Sequence, residues 1–347
     1  MASIIIPSDF YPGGKFVRRV VVNLAAWLLL LAGATAGLAG WWVNQPLGMA
    51  AATVDVGIEP GTSARGVAQV VAQSGIQVAP ELLYAWFRIS GDARRIKAGS
   101  YEIDRGTTPR SLLRKLVLGE EALRTVVLVE GWTFRQVREA LARAEQLAPD
   151  SAGLSDDAVM DKLGRPGIHA EGRFFPDTYS YSKGSADLKL LARAMRAMDR
   201  QLQAAWTVRT PDTALQNADQ ALILASIVEK ETGRAADRPA IAAVFANRLR
   251  LGMMLQTDPT VIYGMGSKFD GNLRKKDLLA DTPWNTYTRV GLPPTPIAMP
   301  GKDALLAAVA PAPSNALYFV ARGDGSSEFS TNLEAHNRAV DKYQRKQ

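Results

Sequence analysis

Two carboxylates two residues apart, Glu229 and Glu231, close the apolar run Ala221-Leu-Ile-Leu-Ala-Ser-Ile-Val-Glu-Lys-Glu-Thr-Gly233. The run reads as a helix with a capping-box-like start at Asn217-Ala-Asp-Gln220 and a stop at Gly233. On a helix, residues two apart point about 200° from each other, so the two acids cannot work as a close pair. Glu231 lies over Ile227 and Val228, and one turn further back over Leu224; Glu229 lies over Ala225 and Ser226. An acid over an apolar surface at a helix C-terminus, where the dipole disfavours anions, has its pKa raised. A general acid working near neutral pH needs that property. Glu231 is therefore the candidate catalytic residue and Glu229 the alternative, with a solvated or structural role expected for it. The bland alternative is an ordinary surface Glu-Lys-Glu at a helix end.

The surrounding segments could bind a sugar chain. Asp237 and Pro239 start a second helix that runs to about Leu251 and ends at Gly252. In Leu255-Gln-Thr-Asp-Pro-Thr-Val-Ile-Tyr-Gly264, Asp258 is expected to cap a short helix that Pro259 starts. Gln256, Thr257 and Thr260 could also bond sugar hydroxyls or N-acetyl groups, and Asp258 and Tyr263 share their segment. Pro283-Trp-Asn-Thr-Tyr287 supplies Asn285 and Tyr287, amide and aromatic groups of the kind that line sugar clefts. Glu171-Gly-Arg-Phe-Phe-Pro-Asp-Thr-Tyr179 has the same character, and Glu171 joins the expected substrate contacts.

The elements that must hold these residues form an α+β chain. One pattern occurs three times, starting at Val56, Tyr101 and Val126: a short alternating strand, a turn at Gly, a Thr or Ser cap, then apolar residues at helical spacing. Pro80 to Ser90 adds a helix, and another runs from about Ala186 to Trp206. A polar, Gly/Pro-containing stretch at 150–172 marks the expected boundary between a membrane-proximal module (54–150) and a catalytic domain (151–347). Ahead of them, Val20 to Val43 carries no charge. As a helix of about 36 Å it spans a hydrocarbon core of about 30 Å. Lys15, Arg18 and Arg19 precede it, Trp41 and Trp42 close it, and no charge follows until Asp55. The positive-inside rule puts residues 1–19 in the cytoplasm and everything after a 44–53 linker outside. A cleaved signal peptide, with an apolar region of about 7–15 residues, is the shorter alternative.

Composition closes off other chemistries. The 347 residues include no cysteine and two histidines, His169 and His336, which leaves no thiolate chemistry and too few ligands for a usual zinc site or a His-driven triad. No metal and no cofactor is expected. The net charge is +7, but no basic cluster is interleaved with aromatics, so nucleic acid is not expected as a partner.

These motifs closely resemble the MltG-like (YceG-like) endolytic murein transglycosylase family. The resemblance rests on Glu171-Gly with Phe175-Pro-Asp-Thr-Tyr179, Ala225-Ser-Ile-Val-Glu-Lys-Glu-Thr232, Asn247-Arg-Leu, Leu255 to Gly264 and Asn285-Thr-Tyr287. Gly291-Leu-Pro-Pro294, Tyr318-Phe-Val-Ala321 and His336-Asn337 complete it. Two departures stand out: Thr295 where Gly is usual, and Ser327 where His is expected. By motif the family's catalytic glutamate falls on Glu231. The strand–turn–helix units build a small module that resembles the LysM type, for which a plain spacer is the alternative, ahead of a larger helix-rich catalytic domain with a short sheet. The family resemblance implies cleavage of the β-1,4 bond between N-acetylmuramic acid and N-acetylglucosamine inside nascent strands, with a 1,6-anhydro product. It further implies a single-pass inner-membrane location and work beside peptidoglycan synthases that terminates strand growth. The rival readings are a muramidase with Asp258 or Glu171 as second carboxylate, and a non-catalytic wall-binding scaffold.

Overall fold

The computed structural model describes residues 13–344, so most of the expected cytoplasmic N-terminus, residues 1–12, lies outside the described residues. The chain divides into two compact units, one ending at Ala122 and the other beginning at Leu123. This division falls ahead of the polar stretch at 150–172.

In the first unit, α1 (Gly13–Trp42) contains the one helix among the described residues that is long and apolar enough to cross a membrane, Arg18–Trp42. Its side chains from Val20 to Trp41 stand exposed, and only Trp42 at its end is half-buried. The chain then enters folded structure at once. Val43 and Leu47 are buried, and β1 (Gly48–Met49) pairs with β3 (Ile76–Gln77). Residues 44–53, read from sequence as a linker, are thus tied down: Val43, Leu47 and Met49 supply apolar side chains that the unit buries or packs against.

The strand–turn–helix pattern is visible here twice. β2 (Thr53–Ile58) leads to α2 (Ala64–Gln73), and β4 (Gly99–Asp104) leads to α4 (Pro109–Leu118). Ser63 and Thr108 cap the two helices by accepting the Gly66 and Ser111 amides. The two strands pair antiparallel, with Val56 opposite Tyr101, and α3 (Pro80–Ile89) packs its Leu83 and Phe87 into the same core.

The third copy of the pattern, β5 (Leu123–Val127) with α5 (Phe134–Arg143), belongs to the second unit. Thr133 caps α5 with a full capping box to Gln136. β5 pairs with β6 (Thr178–Ser182), which the Glu171–Tyr179 segment feeds. Tyr179 and Tyr181 of β6 join a core built by α5, α6 (Asp156–Lys162) and the first half of α7 (Asp187–Thr207). A second core gathers around α8 (Ala218–Glu231), packed by α9 (Arg238–Arg250), α12 (Lys302–Val309) and the end of α7. α10 (Asp258–Met265) and α11 (Lys275–Leu279) follow α9. β7 (Tyr318–Ala321), β8 (Ser327–Ser330) and α13 (Leu333–Tyr343) complete the unit. The unit is α+β and helix-rich as expected. In place of one short sheet, however, its strands form two separate antiparallel pairs, β5–β6 and β7–β8.

Candidate active site

Helix α8 is apolar nearly all round, and from Ala221 to Val228 every residue but Ile223 is buried. A helix of that kind belongs to the centre of its core. Asn217 starts it by accepting the Gln220 amide at 2.9 Å. Its end differs from the sequence reading: Thr232 is extended (φ −148°, ψ 134°), and Gly233 is not left-handed. The chain leaves straight, with the Thr232 hydroxyl accepting the Arg234 amide at 3.0 Å. Glu229 and Glu231 therefore emerge from the edge of a rigid core.

Their surroundings separate them. The Glu229 side chain is only 5% exposed; Oε1 accepts from Arg238 Nη2 at 3.0 Å and Oε2 from the Gly301 amide at 2.9 Å. Arg238 is itself buried and lies within 4 Å of Glu130 and Asp303. Glu229 thus locks α8 to α9 and to the start of α12, and the solvated alternative does not apply. Glu231 faces the other way and has no ion-pair partner among the described residues within 4 Å. Its Oε1 accepts a hydrogen bond from Thr257 Oγ1. Burial raises its pKa above the ordinary carboxylate value; the Thr257 bond opposes that, the Asp258 charge adds to it, and the Arg248 charge opposes it.

Thr257 is held in turn. Its amide donates to Thr286 Oγ1 at 3.1 Å, its carbonyl accepts from Thr260 Oγ1 at 2.7 Å, and the Thr260 and Thr286 hydroxyls meet at 2.9 Å. Gln256, just before it, has φ +49°, a left-handed conformation that costs a non-glycine residue about 1 kcal/mol. Buried Arg248 fixes the loop, donating from Nη1 to the Leu255 carbonyl at 2.7 Å and the Met254 carbonyl at 3.2 Å, and from Nε to the Leu317 carbonyl at 2.7 Å. The Tyr318 ring lies 5.1 Å from the Arg248 guanidinium carbon, and His336 stacks on that ring at 5.2 Å, so the C-terminal motifs brace the same arginine.

Asp258 does not cap α10. It is the first helical residue, and Thr257, at the cap position, spends its hydroxyl on Glu231. Asp258 Oδ1 instead accepts from the Tyr287 hydroxyl at 2.6 Å. Burial first, then this bond, raise the Tyr287 pKa, so its proton stays. Asn285 is fully buried, giving both amide hydrogens to the Leu278 and Ala280 carbonyls and accepting the Tyr287 amide at 2.8 Å. Among the expected substrate contacts, Gln256 and Asp258 are exposed and Tyr287 is half-buried, while Thr257, Thr260 and Asn285 are framework.

Glu171 and Tyr263 lie apart from that cluster, lining a cavity of about 860 Å³ with Lys230, Ile262, Trp284 and Ile297. Glu231 is not among its lining residues, although Lys230, its neighbour in sequence, is. Glu171 is 4% exposed; its carboxyl accepts from the Phe134 amide at 2.9 Å and is bonded to the Tyr263 hydroxyl. Burial pushes its pKa up to about 7. Gly172 makes the turn: its φ is +79°, and a Cβ there would sit 2.5 Å from the Pro296 ring. Trp284 packs edge-on against Tyr263 at 5.5 Å and donates from Nε1 to Thr295 Oγ1 at 2.9 Å, which gives the unusual Thr295 a partner. Helix α10 carries Asp258 at one end and Tyr263 near the other, so it borders both carboxyl environments.

Sequence reasoning missed Arg238, Arg248 and Thr286 as parts of the site. The available signal was an arginine at each end of α9 flanking the apolar stretch Ile241–Ala246. Among the described residues, no group of three or more His, Asp or Glu side chains could hold a metal ion.

A model of the YceG-like family matches residues 56–342. The chain is similar to the endolytic murein transglycosylase of Bacillus subtilis (strain 168), with 29% identity over 308 residues, covering 84% of this chain and 85% of that protein. It is 28% identical over 323 residues to the protein of the same name from Streptococcus pneumoniae serotype 2, covering 83% of this chain and 58% of that longer one. A crystal structure of a YceG-like protein from Listeria monocytogenes superposes with a TM-score of 0.53 at 27% identity, covering 83% of this chain and 98% of that one. With the family pattern running through nearly everything after α1, this chain belongs to the YceG-like family.

Proposed function

We propose that this chain is a membrane-anchored endolytic lytic transglycosylase of peptidoglycan, with Glu231 as its single acid/base. The observation that carries the reading is a half-buried carboxyl, raised in pKa and without an ion-pair partner among the described residues, at the end of a rigid core helix. The names of the curated relatives support the reaction class.

In this mechanism protonated Glu231 gives its proton to the glycosidic oxygen as the bond from muramoyl C1 breaks. The carboxylate then takes the proton of the muramoyl C6 hydroxyl, whose oxygen bonds to C1 and closes the 1,6-anhydro ring. One proton is given and one is taken, no water is consumed, and the second carboxylate of an ordinary glycosidase is not needed. Thr257 orients the carboxyl. The exposed Gln256 and Asp258 and the half-buried Tyr287 bind the strand beside it, and the Glu171–Tyr263 cavity takes a neighbouring part of the substrate. The second unit is the catalytic domain. The part of the first unit that follows α1 is a spacer or LysM-like glycan binder, with the N-terminus in the cytoplasm and everything after the anchor outside, where cutting near a synthase would end strand growth.

The test is to incubate the full chain with purified peptidoglycan and identify released ends by mass spectrometry, beside Glu231→Gln. Anhydro ends, lighter than hydrolysis products by one water and absent with Glu231→Gln, are expected. Reducing ends would point to a muramidase, and equal release by the variant would remove Glu231 from the mechanism.

A further inference from the structure

Val43, one residue past α1, is already inside the first unit. Its side chain is 3% exposed and its carbonyl accepts the Arg110 amide at 3.1 Å. Four residues on, the Leu47 amide donates to the Thr107 carbonyl at 2.8 Å. The first turn of α4 is therefore bonded to the end of the apolar helix. A 25-residue span rises about 37 Å against a hydrocarbon core of about 30 Å, so its last turn lies in the headgroup layer. Exposed Trp41 in that turn suits such a position. Arg110 must then enter the same layer.

Arg110 does not stand alone. Arg114 follows one turn along α4 and Leu118 one turn later, on the same face. These residues line a groove of about 490 Å³ between α4 and the end of α3, with Trp86, Arg95 and Leu113 among the others. Arg95 is engaged by Asp92, which also lines the groove, at 2.8 Å. Arg110 and Arg114 are exposed and make no ion pair among the described residues. Two free guanidiniums beside an apolar floor match a phosphodiester with the first methylenes of its acyl chains: guanidinium forks take phosphate oxygens bidentately, and the half-buried Trp86 and Val117 with exposed Leu118 offer apolar area. A soluble anion would use the charges and leave the floor idle.

We propose that this groove binds the headgroup of an anionic phospholipid and docks α4 on the bilayer surface. The inference rests on α1 being a membrane anchor. Each arginine at such a surface strengthens attachment to anionic lipid by about fivefold, so the pair contributes on the order of twentyfold, weakening as salt screens it.

The experiment reconstitutes the full chain in nanodiscs holding equal phosphatidylcholine and phosphatidylglycerol, releases it, and counts retained lipids by native mass spectrometry. Wild type is expected to retain phosphatidylglycerol about twentyfold over phosphatidylcholine at low salt, and Arg110→Glu with Arg114→Glu to lose that preference. Arg110→Lys with Arg114→Lys should keep part of it. Equal retention by wild type and the charge-reversed pair, in protein that stays in the bilayer through alkaline extraction, would overturn the groove proposal and leave the anchor standing. Protein that alkaline extraction strips from the bilayer would overturn the anchor reading and this inference with it.

Discussion

Glu229 and Glu231 leave one helix two residues apart and meet opposite fates: one is sealed in an ion pair, the other has its carboxyl bonded to the Thr257 hydroxyl. Replacing Glu231 by Gln should lower turnover of peptidoglycan by about 10²–10⁴-fold, the range a general acid/base supplies, with the fold unchanged by circular dichroism. The pH profile gives a finer check. In the proposed mechanism Glu231 starts protonated, so activity should fall as pH rises through its raised pKa. The Thr257 hydroxyl favours the carboxylate and the Asp258 charge disfavours it. Thr257→Val should therefore move the alkaline limb of kcat/KM to higher pH, and Asp258→Asn, which keeps an acceptor for Tyr287, should move it lower. Limbs that stay put or shift together would contradict the assignment. That the two glutamates point apart was legible in the sequence, because helix geometry fixes the directions of residues two apart. The burial of Glu229 was not, since its partners Arg238 and Gly301 lie nine and 72 residues away in the chain.

At the scale of elements, α8 is held by what its last turn grips as well as by its apolar faces. Removing Glu229 leaves Arg238 buried without its closest partner, so Glu229→Gln should cost about 3–5 kcal/mol of stability in urea unfolding. Loss of activity in that variant would follow loss of fold, whereas Glu231→Gln should stay as stable as wild type. A Glu229→Gln protein of unchanged stability would show that the ion pair does not secure the helix. Helix starts were readable wherever a Ser, Thr or Asn precedes apolar residues at helical spacing, as at Ser63, Thr108, Thr133 and Asn217. The end of α8 and the role of Asp258 were not readable. Tertiary partners overrode local preference at both, drawing Thr257 to Glu231 and Asp258 to Tyr287.

The stability of the whole molecule depends on pH through buried Glu171. Its pKa stands near 7 in the folded protein against an ordinary 4.5. Below about pH 4.5 both folded and unfolded chains hold the proton; between 4.5 and 7 only the folded chain does, so stability falls as pH rises through that window. The loss amounts to about 3 kcal/mol, and Glu171→Gln should flatten it in urea unfolding followed from pH 5 to 8. A variant whose stability tracks wild type across that range would contradict the burial of an ionisable group there. At this scale the α+β class, the apolar span and the strand–helix pattern were legible, because each is written in local periodicity. Strand pairing was not: β5 finds its partner about fifty residues on in β6, a choice made by the aromatic side chains that β6 buries. The chemistry proposed for the molecule reduces to whether water enters the product. The full chain should therefore be run on peptidoglycan in oxygen-labelled water, with the label read at the muramoyl C1 of the new ends. Anhydro ends carrying no label are expected, because in the proposed mechanism the C6 oxygen is the nucleophile and Glu231 the single acid/base. Label at C1 would make water the nucleophile and the enzyme a muramidase with a second working carboxylate.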